Sequence, residues 1–182
     1  INEKWFRVYY FFTFNFVVKY FTIDFDKKMM NFDDLERIDS KKMYAIYDDW
    51  PEIARDSVNS NPKKFEVEGI DHIIFSGMGG SGSIGDVMGS ILSKEDIHVT
   101  VVKGYHLPSN LDSSSLVVTT SVSGITKETL TVLENAKQNN ARIAAFSSGG
   151  IMQEFCETND IFHQNIPMIH SPRASFPKFL FT

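Results

Sequence analysis

The chain has 182 residues, 42% hydrophobic and 23% charged, with a net charge of −5 and a single cysteine. That is the length of one domain, or of one domain with an appendage. Its acidic balance gives no reason to propose nucleic acid or an anionic membrane as the main partner.

Cys156 cannot form an internal disulfide and has no Cys or His at zinc-like spacing. It reads as a small buried apolar residue in a reducing compartment, the cytoplasm. The histidines (His72, His98, His106, His163, His170) include no pair at i, i+3 or i+4, so no metal site is expected.

Residues 1–28 contain no Ala, Gly, Pro, Ser or Leu and are dense in aromatics. A membrane anchor or signal segment is one reading. Arg7, Asn15 and Lys19 interrupt the apolar stretch, and no small-residue cleavage site follows it. The reading favoured is a non-native or disordered leader, with the natural start at Met29 or Met30. Residues 30–64 then form an amino-terminal helical segment. Met43, Ile46, Tyr47, Trp50 and Ile53 follow helical spacing, predicting an amphipathic helix from Ser40 to about Ser60 that Pro51 kinks or splits. The stripe is core packing, and "NSNPKK" breaks the chain after it.

Residues 65–182 form the main domain. Five strand-like runs lie near 70–76, 97–103, 114–121, 141–148 and 163–169, with helical patterns at 81–93, 126–139 and 150–158. In the second helix Leu130, Leu133 and Ala136 or Lys137 mark the inner side. The link "GYHLPSNLDS" is too short for much helix. This alternation predicts an α/β three-layer sandwich, a five-stranded parallel sheet covered by helices, with ligands at the carboxyl ends of the strands.

Three loops meet at that edge: "SGMGGSGS", "TSVSGITKET" and "SSGG". Two open directly into helices, whose amino ends offer free N–H groups and partial positive charge. With neighbouring hydroxyls they suit a phosphate monoester without lysine. A dinucleotide is the rival, since Gly77, Gly79 and Gly82 satisfy G-x-G-x-x-G after a strand. The acidic residue that pattern wants at the end of the second strand is missing, although Lys103 could meet an NADP phosphate. No G-K-[ST] follows the glycines, so a kinase-type phosphate loop is excluded. The "SSGG" loop reads equally well as an ordinary turn.

"SGMGGSGSIGDV", "SVSGITKETL", "AFSSGG" and "SPRASFP" occur in that order. Together they resemble the amino-terminal half of the bifunctional phosphoglucose/phosphomannose isomerases, two-lobed enzymes built from two sugar isomerase (SIS) domains. The resemblance covers about Phe65 to Thr182. It implies a flavodoxin-like SIS fold, a sugar 6-phosphate ligand and no cofactor. It also implies interconversion of glucose 6-phosphate or mannose 6-phosphate with fructose 6-phosphate.

By the same resemblance Gly79, Gly80 and Ser81 face the substrate. Ser121, Ser123 and Thr126 hold the phosphate, and Arg173 stabilises charge near C1 and C2. Three positions depart from the family's S-Y-S-G-N-T-E-E-T: Val122 stands for the tyrosine, Ile125 for the asparagine and Lys127 for the first glutamate.

An isomerase also needs a base and a ring-opening group. Glu154 and Glu157 read as solvated, and Asp86 as a buried cap or packing residue. The family's catalytic glutamate and histidine lie in the second SIS domain. The chain is therefore expected to be one phosphate-binding half, inactive alone, of an enzyme that dimerises with a shared active site. A SIS domain that senses a sugar phosphate without turning it over is the second reading.

Overall fold

The structure, a computed structural model, describes residues 32–182; the leader expected at 1–28 and the start at Met29 or Met30 lie outside the described residues. The chain divides after Lys41. Before that point lies α1 (Phe32–Ile38), with Asp33 and Asp34 in its first turn and Arg37 in its last, the charge order a helix dipole favours.

Beyond it, the helix predicted over Ser40–Ser60 is two helices, α2 (Met43–Asp48) and α3 (Trp50–Val58). Pro51 sits in the first turn of α3, where its missing N–H leaves no bond unmade. It therefore starts a helix instead of kinking one. The apolar stripe packs as expected: Trp50 Nε1 donates to Ala174 O at 3.0 Å, and its ring lies 6.0 Å from that of Phe176.

The sheet contains β1 (His72–Ser76), β2 (His98–Val102), β3 (Ser115–Ser121), β4 (Arg142–Ser147) and β5 (Phe162–Asn165). All pairings are parallel and the order is β2-β1-β3-β4-β5, the flavodoxin-like order predicted. The helices between are α4 (Gly80–Leu92), α5 (Lys127–Gln138) and α6 (Gly150–Thr158), and α7 (Phe176–Phe181) follows β5.

Strand side chains alternate between faces. One face puts Ile74, Val117, Ile143 and Ala145 under Val132, Leu133 and Ala136 of α5 and Met152 and Cys156 of α6. A second cluster joins Ile84 of α4, Val122, Ile166 and Phe179 of α7. Cys156 is fully buried, and burial pushes its thiol up to about 11, so it is the inert packing residue expected.

Several expectations need correction. In α5 the buried positions are Thr129, Val132, Leu133 and Ala136, with Leu130 half-buried and Lys137 exposed. The last strand covers only Phe162–Asn165, not 163–169. Ile166 N still donates to Ser147 O at 2.9 Å, but β4 itself ends at Ser147, so the ladder has no partner strand beyond that point. The histidines are also less scattered than their spacing implies. His72 and His98 are register partners with ring centroids 4.5 Å apart, and both approach Thr100 Oγ1. Among the described residues no three His, Cys, Asp or Glu side chains group to hold a metal, and no helix is long and apolar enough to cross a membrane.

Candidate functional site

β1 and β3 are neighbours, with Ser76 beside Thr119, and their outgoing loops leave the same edge of the sheet. The order reverses here, since β2 lies on one side of β1 and β3 on the other. In open parallel sheets such a switch point leaves a crevice between two loops.

The β1 loop reaches α4 through Gly79, at φ 55° and ψ −127°, with no side-chain cap on the helix. A Cβ on Gly79 would meet nothing within 4 Å, and one on Gly80 only Phe176 Cδ2, at 4.0 Å. The space beside both is open. Ser81, one residue on, is half-buried. Other glycines of the motif serve packing. A Cβ on Gly77 would lie 2.7 Å from the Ser81 backbone, and one on Gly82 2.7 Å from Gly77 O and 3.2 Å from the Lys103 stem.

Lys103, the cation left for an NADP phosphate, lies with Nζ 2.5 Å from Asp86 Oδ2. This corrects the reading of Asp86: it is exposed and holds Lys103 across the turn. Close packing within one turn thus accounts for Gly77 and Gly82 of the G-x-G-x-x-G spacing, and the positive φ for Gly79.

The β3 loop carries three hydroxyls. Ser121 is 2% exposed; its Oγ accepts from Gly124 N at 3.1 Å and lies 2.9 Å from Thr126 Oγ1. With Ser121 donating in that pair, the Thr126 O–H is left to point away from the loop. Ser123 and Thr126 are half-buried, and Ile125 N approaches Ser123 Oγ at 3.4 Å. Thr126 is the N-cap of α5 yet makes no side-chain cap bond, so the first N–H groups of the helix have no hydroxyl over them.

The departures from the family pattern separate by burial. Val122 is buried in the α4–α7 cluster, whereas Ile125, 57% exposed, and Lys127 face outward.

The "SSGG" loop has a different part from the other two. Ser148 N and Oγ both donate to Val122 O, at 3.0 and 2.5 Å, and Met152 N donates to Gly124 O at 2.9 Å. Gly124, at φ 69°, presses so closely that a Cβ on it would lie 1.8 Å from Gly149 O. The amino end of α6 is thus used by the backbone of the β3 loop, which it braces.

Arg173 is exposed and has no carboxylate partner among the described residues. Its turn is held firmly. Ser175 Oγ donates to Ile169 O or Ser171 O, at 3.1 and 2.9 Å, and accepts from Ile169 N at 2.8 Å. Three residues on, Phe176 places the turn next to Gly80.

Glu154 and Glu157 are exposed, as expected. Sequence reasoning misses Glu128, half-buried in the first turn of α5. Burial first, then the charge and hydrogen bond of Glu128, raise the Tyr105 hydroxyl above its usual value. Tyr105 stands 23 positions earlier in the sequence, in the loop after β2, so no local pattern could have paired them. A separate cleft of about 320 Å³, lined by Ile53, Asp56, Asn61, Asn165 and Lys178 among others, holds none of the predicted residues.

A parallel sheet of this order, with helices between the strands and two serine- and glycine-rich turns at its switch point, defines a flavodoxin-like α/β class. Within that class the chain belongs to the SIS domain family, whose model matches residues 67–171.

It is similar to the bifunctional phosphoglucose/phosphomannose isomerase of Caldicellulosiruptor bescii, 38% identical over 60% of this chain and 33% of the relative. It is also similar to the D-glucosamine-6-phosphate 4-epimerase of Sulfolobus acidocaldarius, 29% identical over 77% of this chain and 44% of that protein. The chain spans less than half the length of these curated relatives. Among solved structures, the C-terminal domain of glucosamine-fructose-6-phosphate aminotransferase from Francisella tularensis shares the fold at a TM-score of 0.58, with 19% identity, covering 76% of this chain and 44% of that one.

Proposed function

We propose that this chain is the sugar-phosphate-binding half of an aldose–ketose isomerase that interconverts glucose 6-phosphate or mannose 6-phosphate with fructose 6-phosphate. The observation that carries the reading is the pair of helix starts, α4 and α5, at adjacent strand ends with no side-chain cap on either. An anion between them would meet unpaired N–H groups and the positive ends of two helix dipoles.

Gly79, Gly80 and Ser81 form one wall, and Ser123 and Thr126 the other. Ser121 works from beneath: it fixes the Gly124 amide and orients the Thr126 hydroxyl. Arg173, anchored beside Gly80, stabilises the negative charge that develops near C1 and C2 during proton transfer. The base and the ring-opening group belong to the part of the longer relatives that this chain does not span. The chain alone then binds without turning substrate over. The whole enzyme is a cytoplasmic homodimer.

Titration calorimetry of the chain with fructose 6-phosphate, fructose and NADP tests this reading. The phosphorylated sugar should bind, and fructose should not. A hydrogen bond to a charged acceptor contributes about 1.5–3 kcal/mol, so Thr126→Val should weaken binding roughly ten- to a hundredfold. Tight NADP binding with no sugar-phosphate binding would replace this reading with a dinucleotide site.

A further inference from the structure

The β3 loop is held from behind by a hydrogen-bonded chain that starts on the opposite edge strand. His163 of β5 is in register with Ala145 of β4, so its ring shares a face with Ser147, two residues further on. His163 Nε2 lies 2.8 Å from Ser147 Oγ, and both residues are buried, at 8% and 0% exposure. Ser147 Oγ is also 2.9 Å from Gly149 O, to which it donates, and 3.2 Å from Gly149 N, from which it accepts.

A hydroxyl has one proton. The arrangement that satisfies all three contacts spends it on Gly149 O and places the imidazole proton on Nε2. Gly149, fixed in this way, is the residue whose carbonyl lies against Gly124. Gly149 itself sits at φ 126° and ψ −141°, a conformation open essentially to glycine alone. A peptide held there needs external bonds.

We propose that His163 and Ser147 are positioning residues for the phosphate loop: they lock the Gly149 peptide against Gly124, and so set the shape of the turn that carries Ser123 and Thr126. Neither touches the ligand. The inference rests on the sugar-phosphate reading of that loop. The groups around the ring suit a neutral donor. Burial first, then the nearby Lys63 cation, holds the imidazole below its usual pKa, with Glu157 opposing. Lys63 Nζ is itself tied to the His163 carbonyl at 3.2 Å.

The test compares His163→Leu, which removes the donor, with His163→Gln, whose Nε2 amide can replace it. Two readouts are taken on the full chain: deuterium uptake of residues 122–126, and fructose 6-phosphate affinity by calorimetry. His163→Leu should raise uptake across the loop and weaken binding about tenfold, the effect of one misplaced hydrogen bond. His163→Gln should restore both.

If His163→Leu fails to fold, the smaller truncation Ser147→Ala is compared with wild type on the same readouts. A lower melting temperature with uptake and affinity unchanged would overturn the proposal, and so would equal damage by Leu and Gln. If wild type itself binds no sugar phosphate, the functional reading fails. The uptake comparison then still decides whether the clamp exists.

Discussion

Two glycines of the candidate site have opposite tolerances, and the contrast separates ligand space from backbone packing. A side chain on Gly80 would enter open space, nearest to Phe176 at 4.0 Å. Gly80→Val should therefore leave the melting temperature within a few degrees of wild type yet abolish measurable sugar-phosphate binding, since it fills the crevice. Gly124→Ala should do the reverse. Its Cβ would overlap the Gly149 carbonyl at 1.8 Å, and φ 69° alone adds strain of about 1–3 kcal/mol. Thermal melts of both variants check this; a stable Gly124→Ala protein would show that the two loops are not pressed together.

The buried histidines make a second prediction at this scale. Burial first, and His98 second, hold the His72 imidazole below its usual pKa, and burial does the same at His163. The folded state then binds protons less readily than the unfolded chain, whose histidines titrate near about 6.5. Stability should be full above about pH 6.5 and fall as the pH drops below it. Urea midpoints measured from mildly alkaline to mildly acidic pH should show that decline, and the non-titrating His72→Gln should make it shallower. Midpoints that rise on acidification would contradict the account.

Among the elements, α4 packs tightly on the sheet at Gly85. A Cβ at Gly85 would sit 2.9 Å from Phe75 Cβ and 3.1 Å from Val101 Cγ1. Alanine there gains about 0.5–1 kcal/mol in helix preference, but forcing α4 off the sheet costs about 1–3 kcal/mol. Packing wins, so Gly85→Ala should lower the urea midpoint; a higher midpoint would mean that α4 can move out freely. The elements themselves are legible in the sequence wherever an apolar period is long. α4, α5 and α6 begin within a residue of the predicted positions, and β1 to β4 end within one or two. β5 looks longer in sequence than it is, because its apolar run continues past Asn165 while its partner β4 ends at Ser147. The third loop illustrates what sequence cannot carry. "SSGG" looks like a ligand turn or an ordinary turn. Its actual part, bracing Gly124, depends on a contact between residues 25 positions apart.

For the molecule as a whole, the hydroxyl-bearing residues singled out from the sequence do lie on two loops of adjacent strands, because the glycine and serine clusters mark strand-to-helix turns directly. The supports behind them are not legible. The Ser147–His163 bond and the His72–His98 ring contact join distant segments through strand register, and the Lys103–Asp86 pair joins the end of β2 to α4. The central claim is that the crevice between β1 and β3 takes the phosphate of a sugar 6-phosphate. A crystal structure of this chain with fructose 6-phosphate tests it most directly. The account predicts the phosphate between the Gly79–Ser81 turn and the Ser123 and Thr126 hydroxyls, with the sugar directed toward Arg173. Phosphate bound instead in the cleft lined by Asn61 and Lys178, with the crevice empty, would contradict it.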